Sequence, residues 1–269
     1  MEKERPGKDK GDYLKFLGTA GARHVVTRQL RASGGIWFSL DGEEILVDPG
    51  PGALVRCLSS RPKQDPNHLN GIVLTHRHID HSNDVNIMIE AMTSGGRNRR
   101  GFLYAPRDAF LPPDPVVQVY VRDFLDEIVC LGEGKIIQHP GFKLETPVRH
   151  RHPVETYGLK FLLPYGNISL IADTAFFPEL IEHYCGTDVL ILNVVIFQDV
   201  VSDRIYHLNY RQAGELIKGI KPRTAIMTHF GMSMLQQKPY LLARNLEEKL
   251  GIRVIAAYDG LKLPFADLL

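Results

Sequence analysis

Within six positions the chain places His76, His78, Asp80 and His81. Imidazole and carboxylate are ligand types that suit zinc, iron or manganese. With 11 histidines in 269 residues, a fixed H-x-H-x-D-H pattern arises by chance in roughly one chain in a thousand. The spacing therefore points to a metal site. Four ligands from one loop cannot complete two metal spheres, so a dinuclear centre requires further ligands downstream. His152, Asp173 and His229 each stand at the end of a predicted strand, where side chains from different strands can converge on one rim. His150 is two residues from His152 and shares its strand face, so either of the two could reach a metal.

These residues need a frame of strands to hold them. Tyr13–Leu17 reads as a first strand. Asp41-Gly42 between two apolar runs is a two-residue hairpin signal, with strands before it and at 44–47. Gly71–Leu74 is a short apolar strand that runs directly into the histidine cluster. A helix is predicted over 84–92, closed by Gly95-Gly96. Further strands are predicted over 101–104, 135–138, 142–146, 157–163, 168–172, 189–192, 225–227 and 253–256, with helices over 211–220 and 240–250. No repeat or low-complexity linker interrupts this pattern. The expectation is a flexible tail over residues 1–12 and one domain over 13–269, an α+β fold with two sheets packed on each other and helices outside.

Composition narrows the function. Hydrophobic residues make up 44% and charged residues 23%, as in a soluble enzyme. The formal charge is +1, from 32 basic and 31 acidic residues, which gives no global attraction to nucleic acid or membrane. The three cysteines, Cys57, Cys130 and Cys185, form no CxxC pair, which argues against a zinc-cysteine site and for free thiols in a reducing compartment. The charged N-terminus does not read as a signal peptide and no apolar run is long enough to span a bilayer, so a cytoplasmic location is expected.

Thr75-His76-x-His78-x-Asp80-His81 resembles the signature of the metallo-β-lactamase superfamily. The later segments are most similar to its phosphodiesterase branch, that of ribonuclease Z and the cyclic-phosphonate phosphodiesterases. Phe16-Leu17-Gly18-Thr19 resembles the opening strand and loop of that branch, and Val47-Asp48-Pro49-Gly50 its second motif. His152 with Gly158 is similar to its H-x5-G segment, a spacing that favours His152 over His150. Ala172-Asp173-Thr174 resembles the bridging aspartate motif, and His207 with Gln212-Ala213 a His-Ser-Thr…Gln-Ala element. Thr228-His229-Phe230 resembles the last ligand motif, and Asp259-Gly260 the C-terminal one. The likeness runs from about residue 13 to the end with the order preserved.

The resemblance implies a four-layer αββα sandwich and two divalent metal ions, zinc first, with manganese or iron as alternatives. It implies that His76, His78 and His152 hold one ion and that Asp80, His81 and His229 hold the other. Asp173 would bridge them beside a nucleophilic hydroxide, Asp80 would belong to the catalytic centre, and Asp48 would hold the histidine loop from behind. His207 would give a proton to the leaving oxygen.

Two departures from the pattern stand out. Ser82-Asn83-Asp84 follows the cluster where small or apolar residues and glycine are usual, and Leu208-Asn209 replaces Ser-Thr after His207. Residues 21–31 read as a basic loop whose Arg23, Arg28 and Arg31 are candidate phosphate contacts. The interval from His152 to Asp173 leaves no room for a tRNA-gripping arm, although Arg97, Arg99 and Arg100 offer a substitute surface. The expected activity is a dinuclear phosphodiesterase acting on a small or exposed phosphodiester. The alternatives are a tRNA 3′-processing endoribonuclease, a thioester or lactone hydrolase, and a non-catalytic metal-binding protein. Nucleic acid is allowed as a partner but not favoured, no membrane partner is expected, and a homodimer is compatible with the sequence.

Overall fold

Most strands are buried along nearly their whole length, with successive side chains on opposite faces, so each of these strands has two faces to cover. The computed structural model describes residues 11–198 and 206–269. Most of the expected tail, residues 1–10, lies outside the described residues. Asp12 is tied into the fold: its carboxylate accepts from the Asp41 amide at 3.0 Å and from the Tyr165 hydroxyl.

The first sheet takes β1 (Tyr13–Phe16), β2 (Ile36–Leu40), β3 (Glu43–Val47), β4 (Gly71–Val73), β5 (Phe102–Ala105) and β6 (Glu127–Cys130). The second takes β7 (Lys135–His139), β8 (Phe142–Thr146), β9 (Leu159–Leu163), β10 (Gly166–Ile171), β11 (Val189–Ile196), β12 (Leu208–Asn209), β13 (Thr224–Thr228) and β14 (Arg253–Ala256). The last strand, β15 (Lys262–Pro264), returns to pair with β1. The strand orders are β15-β1-β2-β3-β4-β5-β6 and β14-β13-β11-β10-β9-β8-β7, with β12 beside β11. In each sheet one half is antiparallel and the other parallel: β3 to β6 in the first, and β10, β11, β13 and β14 in the second.

Three apolar layers hold the sandwich together. Leu14, Phe38, Ile45 and Val73 of the first sheet meet Leu144, Phe161, Leu170 and Ile191 of the second between the sheets. The other face of the first sheet, with Tyr13, Leu46 and Ile72, is covered by α2 (Ala53–Ser59), α4 (Val85–Met92) and α5 (Val119–Arg122). The other face of the second, with Leu190, Leu192 and Met227, is covered by α6 (Leu180–His183), α7 (Tyr210–Ile220), α8 (Met232–Gln236) and α9 (Pro239–Leu250). The result is the expected four-layer αββα sandwich.

The hairpin signal holds in detail, since Asp41 and Gly42 both have positive φ, at 46° and 82°, as a type I′ turn requires. Residues 21–31 do not form a plain loop. Ala22–Thr27 is a helix, α1, whose Val25 and Val26 pack with Ala20 against Met232 and Leu235. A one-turn helix, α3 (Ile79–Ser82), forms inside the histidine cluster itself. The strands β6, β12 and β15 have no counterpart in the sequence reading. Among the described residues, no helix is long and apolar enough to cross a membrane.

Candidate metal centre

The residues predicted to do chemistry gather where the parallel halves of the two sheets end. Asp48 follows β3, the histidine cluster follows β4, Asp173 lies just beyond β10 and His229 just beyond β13. All four positions are at carboxyl ends of parallel strands, the edge where open sheets leave a crevice for ligands. Asp48 and His229 have φ of 55° and 58°, a left-handed conformation that non-glycine residues adopt at a cost.

Among the described residues, three sets of three side chains each bring one ligand atom per residue within 4.8 Å of the others: His76, His78 and His152; Asp80, His81 and His229; and Asp48, His76 and His81, the last joined on the far side of the rings. Asp173 joins them. Its Oδ2 lies 3.5 Å from His81 Nε2, 3.5 Å from His229 Nε2, 3.5 Å from His207 Nδ1 and 3.9 Å from His76 Nε2. Those four imidazole nitrogens are buried and find no hydrogen-bond partner. Ligands of a tetrahedral ion with bonds of about 2.1 Å stand about 3.4 Å apart, so the residues fit a metal centre. Buried polar atoms without partners are otherwise rare.

Hydrogen bonds on the far side of the rings fix which nitrogen faces inward. Asp48 Oδ1 accepts from the Thr75 amide at 2.7 Å, and its Oδ2 accepts from the Thr75 hydroxyl at 2.7 Å and faces His81 Nδ1 at 2.9 Å. The Thr75 hydroxyl, having given its proton to Asp48, can only accept from His76 Nδ1 at 3.0 Å. His76 and His81 are thereby both set to present Nε2. His152 Nδ1 lies 3.1 Å from the Tyr206 carbonyl, which must accept, and this leaves His152 Nε2 as a lone pair 3.0 Å from His78 Nδ1.

Electrostatics follow the same geometry. Burial holds His76, His78 and His207 below the usual histidine range and pushes His152 down to about 4. Burial acts on His81 as well, but the carboxylates of Asp80, Asp48 and Asp173 outweigh it and raise this histidine. Burial would raise Asp173, and His229, His207 and His81 overcome it and hold the carboxyl well below the usual range. The site is a carboxylate-lined nest of imidazoles, most of them neutral and able to offer a lone pair to a cation.

His150 lies apart from this cluster. Its Nε2 meets the Tyr184 hydroxyl at 2.9 Å, and burial pushes its pKa down to about 3. Gly158 makes that packing feasible, because a Cβ there would lie 2.7 Å from His150 Nε2 and collide with the Tyr184 hydroxyl. The replacement of Ser-Thr by Leu208-Asn209 also has a physical reason. Asn209 caps α7, accepting from the Gln212 amide at 2.9 Å while Gln212 Oε1 accepts from the Asn209 amide at 3.1 Å, a capping box in which asparagine serves as well as serine.

The arginines divide. Arg23 is exposed on α1 and Arg28 is exposed at its C-cap, and α1 packs against α3. Gly21, just before α1, lies so close to His229 that a Cβ would come within 2.9 Å of its ring. Arg31 turns inward, with Nη1 2.9 Å from Thr19 Oγ1 and 3.4 Å from the Ala257 carbonyl. Asp259 completes that corner by accepting from the Thr19 amide and hydroxyl and from the Ala32 amide. Arg97, Arg99 and Arg100 precede β5, and Arg100 donates to the Asn67 carbonyl ahead of β4. They therefore lie at the opposite ends of the strands from the histidines.

Sequence reasoning missed two buried residues of the site. Thr75 stood in the motif, but nothing in the sequence marked its hydroxyl as the link between His76 and Asp48. Asn193 donates to Asp173 Oδ1 at 2.9 Å, and its one sequence signal was an amide inside the apolar run Val189–Ile196.

Comparison with known proteins shows the family and the fold. Residues 43–230 match the family model of the beta-lactamase superfamily domain. An uncharacterized protein of Methanocaldococcus jannaschii is 34% identical over 257 residues, which cover 92% of this chain and 93% of that one. Ribonuclease Z of Kineococcus radiotolerans is 24% identical over 265 residues, 81% of this chain and 82% of that one. Among solved structures, the metallo-beta-lactamase fold protein YhfI from Bacillus subtilis superposes with a TM-score of 0.78 at 18% identity, covering 94% of this chain and 99% of that one. A diphosphatase from the PhnP family superposes with a TM-score of 0.67 at 22% identity, covering 94% and 97%.

Proposed function

Because the chain belongs to the family of the beta-lactamase superfamily domain, we propose that it is a hydrolase that uses two divalent metal ions to cleave a phosphodiester. The observation that carries this reading is the convergence on Asp173 Oδ2 of three orphaned imidazole nitrogens drawn from both ligand sets, those of His76, His81 and His229. Zinc suits this nitrogen and carboxylate set, and manganese or iron are the alternatives.

In this reading His76, His78 and His152 hold one ion, Asp80, His81 and His229 hold the other, and Asp173 lies between them. Held there, the ions would supply an activated water and positive charge for the phosphodiester oxygens. Asp48 and Thr75 keep His76 and His81 in the ligating tautomer. His207, partly exposed beside Asp173, is placed to give a proton to the leaving oxygen. Arg23 on α1 and Arg28 just after it are exposed cations that could meet a phosphate.

The choice of a phosphodiester is supported by relatives named ribonuclease Z and a structural neighbour titled a diphosphatase. The preference for a small or exposed substrate is supported by the interval from His152 to Asp173, which holds only β9, β10 and their short turn. A second reading, tRNA 3′ processing, is favoured by the ribonuclease Z likeness over most of the chain.

The test is elemental analysis of the purified protein together with turnover of bis(p-nitrophenyl) phosphate, a thioester and a lactone. The expected result is close to two transition-metal ions per chain and turnover of the phosphodiester alone. Metal uptake near zero after reconstitution at neutral pH would sink the proposal. Efficient, salt-sensitive cleavage of a 3′-extended tRNA would favour the second reading.

A further inference from the structure

Asn193 is the polar residue in a strand built for burial. β11 reads Val-Leu-Ile-Leu-Asn-Val-Val-Ile. Leu190, Leu192 and Val194 face the outer helices, while Val189 and Ile191 face the space between the sheets. Asn193 continues the second row, so its amide lies on the inner side, at the end of the strand nearest the histidines. It is 5% exposed. An amide buried so deeply costs free energy unless it is hydrogen-bonded, and an apolar residue would serve the core better.

The position is fixed from both sides. β11 lies between β10, which leads to Asp173, and β13, which leads to His229, and Asn193 pairs in register with Thr228. Asn193 Nδ2 donates to Asp173 Oδ1 at 2.9 Å. The other oxygen, Oδ2, is the one that faces His76, His81, His207 and His229. The two oxygens of this carboxylate are thus sorted: one is held by a strand amide, and the other is given to the imidazole nest.

We propose that Asn193 is a positioning residue that commits Asp173 to present a single oxygen, Oδ2, to both metal ions. The inference rests on the two-metal reading above. A carboxylate with both oxygens free can rotate about its Cβ–Cγ bond and chelate one ion with two oxygens, leaving the other ion without its bridge. The hydrogen bond to Oδ1 opposes that rotation. Asn193 touches neither ion in this arrangement and acts through Asp173 alone.

The experiment uses the full chain with Asn193→Leu, which removes the donor at similar volume, and Asn193→Asp, which keeps the shape but replaces the donor with an acceptor. Zinc dissociation constants are measured by chelator competition, visible spectra are recorded after loading with cobalt(II), and thermal unfolding is followed without metal. Both variants are expected to bind the more weakly held ion about 10–100-fold less tightly and to change the cobalt spectrum. The metal-free unfolding midpoint of Asn193→Leu, which is expected to fall because Asp173 Oδ1 loses a buried partner, establishes that the variant folds at the temperature of the metal titration. Parental zinc affinities and an unchanged cobalt spectrum in either folded variant would overturn the inference while leaving the two-metal reading intact. Uptake of fewer than two ions by the parent protein would overturn both.

Discussion

Thr75 and Asp48 are joined twice, through the Thr75 amide to Oδ1 and through the Thr75 hydroxyl to Oδ2, each at 2.7 Å. The pair converts one buried carboxylate into the anchor of two histidines, His81 directly and His76 through the hydroxyl. Thr75→Val keeps the shape and removes the relay. Metal affinity is expected to fall about 10–100-fold, measured by competition with a chelator. An unchanged affinity would mean that the tautomer of His76 is set some other way.

Asp173 faces ligands from both proposed metal sets, whereas His150 faces Tyr184. Asp173→Ala is expected to lower both metal content and phosphodiester turnover by more than the roughly 10–100-fold that loss of an outer partner costs. His150→Ala is expected to leave metal content near two per chain. Metal lost from His150→Ala but kept by His152→Ala would reverse the assignment.

Gly158 is an ordinary-φ glycine kept small by its neighbours. Gly158→Ala drives a methyl toward His150 Nε2 and the Tyr184 hydroxyl. Overpacking of this kind costs about 1–3 kcal/mol, which urea unfolding would register. A loss within 0.5 kcal/mol, the range of a neutral surface change, would show that Tyr184 can yield.

Arg23 on α1 and Arg28 at its C-cap are exposed, and α1 packs against α3. Arg23→Gln is expected to raise KM for a phosphodiester several-fold, with the penalty shrinking as salt is added. Metal content should not change. Arg31→Gln should instead lower stability, since Arg31 holds Thr19 and the Ala257 carbonyl. Equal effects of Arg23→Gln and Arg31→Gln on KM would contradict this division.

Lys15 has no exposed surface, and its Nζ donates to the Pro62 carbonyl at 2.8 Å. Burial, with Lys262 adding to it, holds its pKa below the usual 10.5. Between the lowered folded value and 10.5 the unfolded chain binds more protons, so this lysine makes stability rise with pH in that window. Lys15→Met is expected to stabilise the fold near neutral pH, because it removes a buried ammonium, and Ser60 Oγ still serves the Pro62 carbonyl. The advantage should shrink as pH climbs toward 10.5. A constant difference in unfolding free energy across that range would rule out titration of Lys15 as its source.

The ligand-type residues were readable because metal chemistry restricts residue types and strand ends restrict their places. The Asp41-Gly42 turn was readable because two consecutive positive φ values demand such residues. The helix Ala22–Thr27 was not. It spans six residues, its second half is Val-Val-Thr, and Gly21 offers no side-chain cap. Its local signals oppose a helix, and contacts with Met232 and Leu235, far along the chain, decide the matter. β6 was hidden for a related reason: as an edge strand with Glu127, Ile128 and Cys130 exposed, it lacks a clean alternation. Asn193 was hidden because one amide in an apolar strand gains meaning only when its partner, Asp173, is known.

His76, His78, Asp80 and His81 hang from the first sheet, while His152, Asp173 and His229 hang from the second. Any cation gripped by both groups is therefore a clasp across the two halves of the sandwich. It ties together stretches of chain that are distant in sequence, as a disulfide would, but reversibly and on demand. Free ion in hundredfold excess over its dissociation constant would add about 2.7 kcal/mol to the folded state. A chelator would remove that increment, opening the sheets' shared rim to proteases while the cores on either side stay closed.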